Sequence, residues 1–295
     1  SFKRITGYSE ADVIGKNCRI LQDESVGSVS RQLIRDAIKA KTECHLVIQN
    51  VRKDGTLFWN NLYLSPVPDD SGQINYYIGI QNDITEQKRY EAELEYNASH
   101  DLLTGLPNRA LLQDRLSQSC QTTQRHGRSV AVLFIDLDGF KLVNDSLGHA
   151  HGDKLLKLVA LRLKDCCRAN DLLCRFGGDE FVFVLPQLTD VETPFRLASQ
   201  ILQRIQQPLI IDQQNFVMTA SVGLTMSALT PIGSDDLIRQ ADLAMHEVKL
   251  NGGNGAQAYN LDMYQRVQQR VLLEQDLKEA LLLNQFSISF QPQMT

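Results

Sequence analysis

The stretch that decides the fold of residues 101–260 is Val130-Ala131-Val132-Leu133-Phe134-Ile135-Asp136, an apolar run that ends in a carboxylate. A continuous run of β-branched and aromatic residues, without polar alternation, indicates a strand that is buried on both faces. Asp136 follows this strand directly, and polar groups at the carboxyl ends of strands commonly line a ligand crevice. We therefore expect a central buried strand with an acidic residue at its end.

Working outward, two further strand-like runs, Leu172–Phe176 and Phe181–Leu185, flank the segment Gly177-Gly178-Asp179-Glu180. The glycines permit a tight hairpin and leave the backbone open to a close ligand. If the hairpin lies beside the first strand, Asp136, Asp179 and Glu180 converge. Clustered carboxylates repel one another unless a cation joins them, and oxygen ligands beside a phosphate favour Mg²⁺. The spacing is equally compatible with ordinary turn residues.

The remaining pattern between residues 101 and 260 alternates helix and strand. It predicts helices over Asn108–Arg125, Asp153–Cys167 and Val191–Gln206, a strand over Phe216–Met226, and a last helix that Ser234 caps. This alternation predicts an α/β domain with a mixed sheet wrapped by helices.

Residues 1–85 have a different pattern, typical of an antiparallel sheet. Three strand-like runs, Cys44–Val51, Leu57–Leu64 and Ile74–Gln81, are separated by turn residues. Residues 86–100 are charged and free of Gly and Pro, which predicts a connector helix. Tyr90, Leu94 and Ala98 form one narrow apolar stripe on it. Both a dimer seam and a solvated linker are compatible with so short a stripe.

Length and composition narrow the class of protein. The 295 residues suggest about two domains, and the net charge of -5 argues against nonspecific nucleic-acid binding. No apolar run approaches the ~20 residues that span a bilayer, so we expect no membrane segment. The six cysteines lack paired spacings, which indicates reduced thiols in a cytoplasmic protein.

Residues 101–260 resemble the GGDEF family of diguanylate cyclases. The resemblance rests on six short sequence motifs: Asp101–Arg109, Phe134–Lys141, Asn144-Asp145, Gly148-His149, Gly152-Asp153 and Arg175–Phe181. The resemblance implies an enzyme that condenses two GTP molecules into cyclic di-GMP and releases pyrophosphate. Because this product is symmetric and each domain holds one GTP, it also implies a homodimer.

The resemblance assigns roles to the acidic residues and their neighbours. Asp136 and Glu180 would hold two Mg²⁺ ions per active site, and Leu137 would offer a backbone carbonyl. Asp179 would contribute to metal binding or to activating the 3′-hydroxyl. The implied catalytic residues are Asp179, Glu180 and Lys141.

The nucleotide would be held by a second set of residues. Asn144 and Asp153 would hydrogen-bond guanine, and an unpaired Asp153 would disfavour adenine. The other implied GTP contacts are Gly177 and Gly178, through close backbone approach, and Lys141 and Lys249, through phosphate.

Two further positions bear on regulation and affinity. Arg168 and Asp171 match the family's inhibitory site, at which cyclic di-GMP acts as feedback inhibitor, although such a pair is also a common surface ion pair. Gly253 stands where the family has a phosphate-binding Arg, and His246 stands where Tyr is common. This departure implies weaker triphosphate binding.

Residues 1–85 resemble the LOV subclass of PAS domains, through Gly15–Gln22, Asn50–Gly55, Phe58–Asn60 and Ile78–Thr85. The resemblance implies a blue-light photoreceptor that binds FMN, with Cys18 as the thiol that adds to the flavin. The implied flavin contacts are Cys18, Asn17, Arg19, Gln22, Arg35, Asn50, Asn60 and Gln81. LOV domains begin with two strands that precede this segment, so FMN is implied for the parent protein and left open for this chain.

Residues 261–295 predict a helix over 262–284 and a strand over Phe286–Phe290, and they resemble the opening of an EAL cyclic di-GMP phosphodiesterase. Two functions follow from the whole chain. It is either a light-regulated diguanylate cyclase or a non-catalytic GTP-binding GGDEF domain that regulates a following phosphodiesterase. The intact acids favour the first, and Gly253 with the EAL opening leaves the second open.

Overall fold

A computed structural model describes residues 2–22, 28–126, 128–227, 233–263, 276–283 and 285. The chain divides into two compact units between Tyr96 and Asn97, and each is described by itself. No helix within these ranges has the length and apolar character needed to cross a membrane.

The N-terminal unit is a three-stranded antiparallel sheet that follows a series of helices along the chain. Its elements are α1 (Phe2–Thr6), α2 (Glu10–Val13), a 3₁₀ turn (Cys18–Leu21), α3 (Ser28–Ala40), β1 (Cys44–Val51), β2 (Leu57–Pro68) and β3 (Ile74–Asp83). The strand order is β1-β2-β3, which confirms the predicted meander. β2 is longer than predicted because Pro66 and Pro68 normally end a strand, whereas here a register shift at Val67/Pro68 accommodates them.

The predicted connector is the helix α4 (Thr85–Ser99). Asp83 accepts hydrogen bonds from the amide and hydroxyl of Thr85, which satisfies donors at the start of the helix. Tyr90 and Leu94 are exposed. Both interpretations of this apolar stripe, a dimer seam and a solvated face, remain predictions.

The C-terminal unit is a mixed five-stranded sheet with helices on both faces. Its elements are α5 (Arg109–His126), β4 (Ser129–Asp138), α6 (Phe140–Leu147), α7 (His149–Lys164), β5 (Leu172–Gly177), β6 (Glu180–Leu188), α8 (Glu192–Gln206), the hairpin β7 (Leu209–Ile211) and β8 (Gln214–Phe216), β9 (Thr219–Met226), α9 (Ser234–Leu250) and β10 (Gly255–Ala258). The order is β10-β9-β4-β6-β5, with only the β10–β9 pair parallel, as the predicted mixed sheet requires.

The central strand β4 is buried on both faces, as its apolar run predicts. Leu133, Ile135 and Leu137 pack with α6, α7 and α8 in one core. Val132 and Phe134 pack with α5 and α9 in the other. Asp136 and Asp138 continue the second set, because alternate residues of a strand share a face.

Several predicted boundaries are wrong for identifiable reasons. β4 does not end before Asp136 but continues to Asp138, since hydroxyl groups on β9 satisfy the second carboxylate. α7 begins at His149 rather than Asp153, because Gly152 packs tightly against α6 instead of breaking the helix. Gly233, not Ser234, is the N-cap of α9, and Ser234 Oγ lies 3.0 Å from Ser117 Oγ.

The C-terminal prediction falls largely outside the described residues. Residues 276–282 are helical, which agrees with part of the predicted helix. The predicted strand Phe286–Phe290 lies among residues that the structure does not describe. β7 and β8 were not predicted as a hairpin, because each has only three residues.

Candidate active site and sensor cavity

The hairpin β5–β6 lies beside β4, as predicted, and this brings two acidic residues opposite each other. Asp136 of β4 is in register with Glu180 of β6 on one side and with Ser221 of β9 on the other. Directly opposed residues in an antiparallel pair have Cβ atoms about 4.5–5.5 Å apart. Asp136 is only 6 % exposed. The end of β4 is therefore an acidic edge at which the Asp136 side chain is nearly dry.

The electrostatics of this edge favour a cation. Burial raises the pKa of Asp136, and repulsion from Asp179 and Asp138 adds to this, while Lys249 opposes it. Burial also raises the pKa of Glu180, and repulsion from Asp136 and Asp242 acts in the same direction. Both ionised forms are thus disfavoured unless positive charge compensates them.

Lys249 supplies positive charge directly at Asp136. Its Nζ lies 2.6 Å from Oδ1 of Asp136. That oxygen is buried and accepts no well-aligned hydrogen bond from the described residues, so the contact is an ion pair without the directionality of a hydrogen bond. Lys249 was predicted to contact phosphate, and its position beside the buried carboxylate was not predicted.

The three acids do not form one closed metal-binding group. Within the described ranges, no cluster of three or more His, Cys, Asp or Glu side chains is arranged to hold a metal ion. Asp136 and Glu180 are opposed across β4–β6, whereas Asp179 lies in the hairpin turn beyond them. The carboxylates of the opposed pair, including the Asp136 Oδ1 that accepts no well-aligned hydrogen bond, are hard oxygen donors of the kind that Mg²⁺ takes. The residues present therefore fit Mg²⁺ chemically.

At Gly223, the backbone of α9 lies directly against β9. A Cβ added at Gly223 would be 1.9 Å from the carbonyl oxygen of Ala241 and 2.2 Å from the amide nitrogen of Met245. α9 carries Asp242, His246 and Lys249 at positions i, i+4 and i+7, which share one helix face.

Asp242 is a further acidic residue near the site that the sequence analysis missed. Although its side chain is exposed, desolvation by its surroundings raises its pKa, while His246 and Lys249 oppose that shift. It also contributes to the raised pKa of Glu180, so it lies within electrostatic reach of the acidic pair. The helical spacing from Lys249 was the signal that could have found it.

Asp138 makes a network that the sequence analysis also missed. Its Oδ1 accepts a hydrogen bond from Ser221 Oγ at 2.7 Å. Its Oδ2 accepts from Thr219 Oγ1 at 2.8 Å and from the backbone amide of Asn254 at 2.9 Å. Both carboxylate oxygens are therefore engaged by protein donors.

The predicted guanine residues lie on α6 and α7. A Cβ at Gly152 would be 2.0 Å from Oδ1 of Asn144, so the absence of a side chain there lets the amide of Asn144 approach α7. Asp153 is the next residue and is exposed, as is Lys141 in the first turn of α6. These helices bury their apolar residues on the face of the sheet opposite to α9. The structure thus groups Asn144 with Asp153 but shows no direct contact between them and the acidic pair.

Arg175 anchors the glycine turn. Its guanidinium donates to both oxygens of Asp101, at 3.0 Å each, and to the carbonyl oxygen of Gly178 at 3.0 and 2.7 Å. Burial tends to raise the pKa of Asp101, but hydrogen bonds from Thr104 and Arg175 lower it overall. Gly177 is paired with Glu180 across this turn. The contacts of Arg175 therefore fix the conformation of the turn that carries Gly178 and Asp179.

The Arg168–Asp171 segment forms a turn rather than a surface ion pair. Asp171 accepts a hydrogen bond from the backbone amide of Arg168 at 2.9 Å, and the backbone amide of Asp171 donates to the carbonyl of Arg168. Arg168 is exposed. The turn leaves its guanidinium on the surface of the unit.

In the N-terminal unit, all eight predicted flavin contacts line one cavity of about 690 Å³. They are Asn17, Cys18, Arg19, Gln22, Arg35, Asn50, Asn60 and Gln81. Asn60 is 1 % exposed and donates from Nδ2 to Asn50 Oδ1 at 2.8 Å. Its own Oδ1 and the Oε1 of Gln81 are buried acceptors without a partner in the described chain. Such acceptors cost stability unless a ligand or water donates to them, so the cavity fits a ligand with N–H donors.

Asn17 has a structural role in addition to its predicted one. Its Oδ1 accepts from the backbone amide of Arg19 at 3.0 Å and caps the turn that carries Cys18. Cys18 is exposed at the cavity.

Comparison with known proteins places this geometry in a family. The sequence model described as "Diguanylate cyclase, GGDEF domain" matches residues 98–255, and a PAS domain model matches residues 1–86. MucR of Pseudomonas aeruginosa, a bifunctional diguanylate cyclase/cyclic di-GMP phosphodiesterase, is 40% identical over 71% of this chain and 30% of its own length. The cyclic di-GMP phosphodiesterase NbdA of the same organism is 37% identical over 68% of this chain and 26% of its own length.

A solved structure of the GGDEF domain of TpbB from Pseudomonas aeruginosa has 35% sequence identity to this chain and a TM-score of 0.56. It covers 57% of this chain, and the match includes 99% of that domain. The chain spans less than a third of the length of MucR and NbdA, so the similarity concerns the domains and not those whole proteins. With more than half of its residues matched by the family model, and with an N-terminal PAS domain, the chain belongs to the GGDEF family.

Proposed function

We propose that this chain is a diguanylate cyclase that condenses two GTP molecules into cyclic di-GMP and releases pyrophosphate. The observation that carries the proposal is the opposed pair Asp136–Glu180, in which Asp136 is buried and paired with the Lys249 ammonium and Glu180 is half-buried. A site of this kind suits polyphosphate chemistry, because a divalent cation held by the carboxylates would neutralise their negative charge and that of a bound phosphate together.

Each residue of the acidic site has a role in the proposed reaction. Asp136, Glu180 and the Leu137 carbonyl would hold Mg²⁺, which supplies charge neutralisation for the triphosphate when bound. Lys249 and Lys141 would bind phosphate oxygens. Asp179, in the turn, would accept a hydrogen bond or the proton from the 3′-hydroxyl of GTP.

Substrate selection would rest on the α6–α7 pair. Asn144 and Asp153 would hydrogen-bond the guanine edge, and Gly177 and Gly178 would allow close backbone approach. Two such domains in a homodimer would form the two identical linkages of the product, since each contributes one nucleotide. Arg168, on its exposed turn, would bind the product together with Asp171 as an inhibitory site.

The test is synthesis by the full chain. Purified protein is incubated with GTP and Mg²⁺, and cyclic di-GMP is quantified by chromatography. Glu180→Gln should lower the rate by at least ~100-fold, because stabilisation of charge by a metal is worth several kcal/mol. Glu192→Gln makes the same chemical change on α8, which carries none of the proposed site residues, and should leave the rate unchanged. A Glu180→Gln rate close to that of the wild type contradicts the proposal.

A GTP-binding domain without synthesis is the second candidate, and Gly253 favours it. Gly253 stands where the family's phosphate-binding Arg is expected, and its φ of 72° suits glycine. A Cβ at this position would lie 3.0–3.1 Å from the carboxylate of Asp138. GTP binding by calorimetry, with no product formed in the presence of Mg²⁺, would establish this function instead.

We also propose that the N-terminal domain is a LOV sensor that binds FMN in the 690 Å³ cavity. The support is the pair of unpartnered buried acceptors, on Asn60 and Gln81, which suit the N–H groups of a flavin ring. Arg19 and Arg35 line the same cavity and suit a phosphate. When bound, the flavin would supply light absorption, and Cys18 would supply the thiol.

Flavin binding is tested on the full chain purified with FMN. We expect flavin absorbance to co-purify and to change reversibly under blue light. Cys18→Ala should abolish the light response while flavin stays bound, whereas Cys44→Ala, which does not line this cavity, should not affect it. Protein without bound flavin after incubation with FMN would refute the proposal for this chain.

A further inference from the structure

Asp138 lies two residues beyond Asp136 on the same face of β4, yet its surroundings are different. Both of its oxygens accept hydrogen bonds from the protein: Ser221 and Thr219 donate from alternate positions on one face of β9, and Asn254 donates its backbone amide. Ser221 is fully buried. Hydrogen bonds to an ionised carboxylate are stronger than neutral ones. The Asp138 carboxylate therefore binds protein groups with both of its oxygens and does not serve to coordinate a ligand.

The Asn254 amide belongs to the loop that joins α9 to β10. This loop has three consecutive residues at positive φ: Gly252 at 105°, Gly253 at 72° and Asn254 at 51°. Glycine adopts such conformations without steric cost, whereas Asn254 carries a side chain, and contacts with the rest of the fold help to hold it there. The loop is held by Asp138 at the Asn254 amide and by a hydrogen bond from Gln206 Nε2 to Asn254 Oδ1 at 2.5 Å.

The same loop is the continuation of the helix end that carries Lys249. The amide of Gly253 donates to the carbonyl of Val248, which immediately precedes Lys249. The position of the Lys249 stem is thus linked, through Gly253 and Asn254, to the carboxylate of Asp138. A Cβ at residue 253 would crowd that carboxylate, at 3.0–3.1 Å, and the positive φ disfavours a side chain, so glycine suits this link.

We propose that Asp138 is a positioning residue that fixes the α9–β10 loop and thereby holds Lys249 beside Asp136, where it meets the phosphates of GTP. Its effect on nucleotide binding rests on the proposed cyclase function, whereas its effect on the loop does not. The proposal also gives Gly253 a role, since the residue leaves room for the Asp138 contact.

The test compares Asp138→Ala, Thr219→Val and an exposed control, Asp114→Ala, in the full chain. Hydrogen exchange is followed by mass spectrometry on the peptide that includes Asn254. We expect about tenfold or faster exchange in Asp138→Ala, because a charge-assisted bond is lost, a smaller increase in Thr219→Val, and none in the control. Thr219→Val removes one donor and keeps the side-chain shape, so it decides the matter if Asp138→Ala does not fold.

Nucleotide binding separates positioning from metal coordination. With a non-hydrolysable GTP analogue, Asp138→Ala should raise Kd about tenfold or more while the Mg²⁺ concentration for half-saturation stays unchanged. Gly253→Ala should raise the exchange of the same peptide. Unchanged exchange in both Asp138→Ala and Thr219→Val would overturn the proposal, as would a shifted Mg²⁺ requirement with normal exchange. If the wild type makes no cyclic di-GMP, the cyclase function fails, but the exchange measurement still decides the role of Asp138.

Discussion

Replacing Arg175 by Met is the most informative single perturbation of the turn that carries Asp179. The guanidinium is 12 % exposed and the carboxylate of Asp101 is 23 % exposed. Four contacts are lost, two to Asp101 and two to the carbonyl of Gly178. Met retains an unbranched apolar stem of similar length, so the change removes mainly the charge and the donors.

The magnitude follows from these distances and exposures. At 3.0 Å the attraction between Arg175 and Asp101 is about 5.5 kcal/mol at an effective dielectric constant of 20. Desolvation of both ions offsets much of this, but removing one partner leaves a largely buried charge, which costs roughly 3–5 kcal/mol. Because Asp101 keeps some contact with water, we take the lower end, about 3 kcal/mol, including the lost bonds to Gly178.

Urea unfolding of the full chain, followed by far-ultraviolet circular dichroism, measures this loss. With a slope of about 2 kcal/mol per molar urea, the midpoint of the C-terminal unit should fall by about 1.5 M. Arg239→Met is the matched control, because its ion pair with Asp236 is half exposed and should contribute about 0–1 kcal/mol. A loss for Arg175→Met no greater than that of the control would refute the reasoning.

The pH dependence provides an independent check on the same pair. The native pKa of Asp101 is lowered, so its contribution to stability is complete above the unfolded pKa, about 3.9, and is lost as pH falls through the native value. Wild-type stability should therefore decline more steeply below about pH 4 than that of Arg175→Met. Parallel declines in the two proteins would show that Arg175 does not set the pKa of Asp101.

Three further predictions concern the acidic edge. Glu180→Gln should slow synthesis strongly yet raise the thermal midpoint of the Mg²⁺-free chain, measured by calorimetry. The reason is that the native pKa of Glu180 is raised, so its charge destabilises the fold; a lowered midpoint would count against this. Lys249→Met should destabilise the chain by about 1–3 kcal/mol in urea, since Asp136 loses its counter-ion, and adding Asp136→Asn should restore most of the loss. Without Mg²⁺, the raised pKa values of Asp136 and Glu180 should make stability fall as pH rises from their unfolded values through their native ones, and Glu180→Gln should lessen this slope.

The sequence predicts the sheet well where one physical signal dominates. The unbroken apolar run Val130–Ile135 is stable only where both faces of its strand are buried. In the fold it forms part of β4, which lies between the two hydrophobic cores. Its extension to Asp138 could not be read from the chain, because the stabilising hydroxyls of Thr219 and Ser221 are about 80 residues away in sequence. Local pattern does not report a partner that only the folded sheet brings close.

The candidate site shows the same limit in another form. Family resemblance identifies Asp136, Glu180 and Lys249, but the ion pair between Lys249 and Asp136 depends on how closely α9 approaches β9. Asp242 has no distinguishing feature in the sequence beyond its helical spacing from Lys249. The flavin candidates are scattered over more than 60 residues, and only folding shows that they line one cavity.

The backbone contact at Gly223 has a consequence for how this domain tolerates change. Since the peptide groups of Ala241 and Met245 would overlap even a methyl group there, every substitution must displace the helix that carries Lys249. A mutation deep in the sheet would therefore also change the position of Lys249 relative to Asp136. Natural variation at this inner position should be as restricted as at the acidic residues themselves.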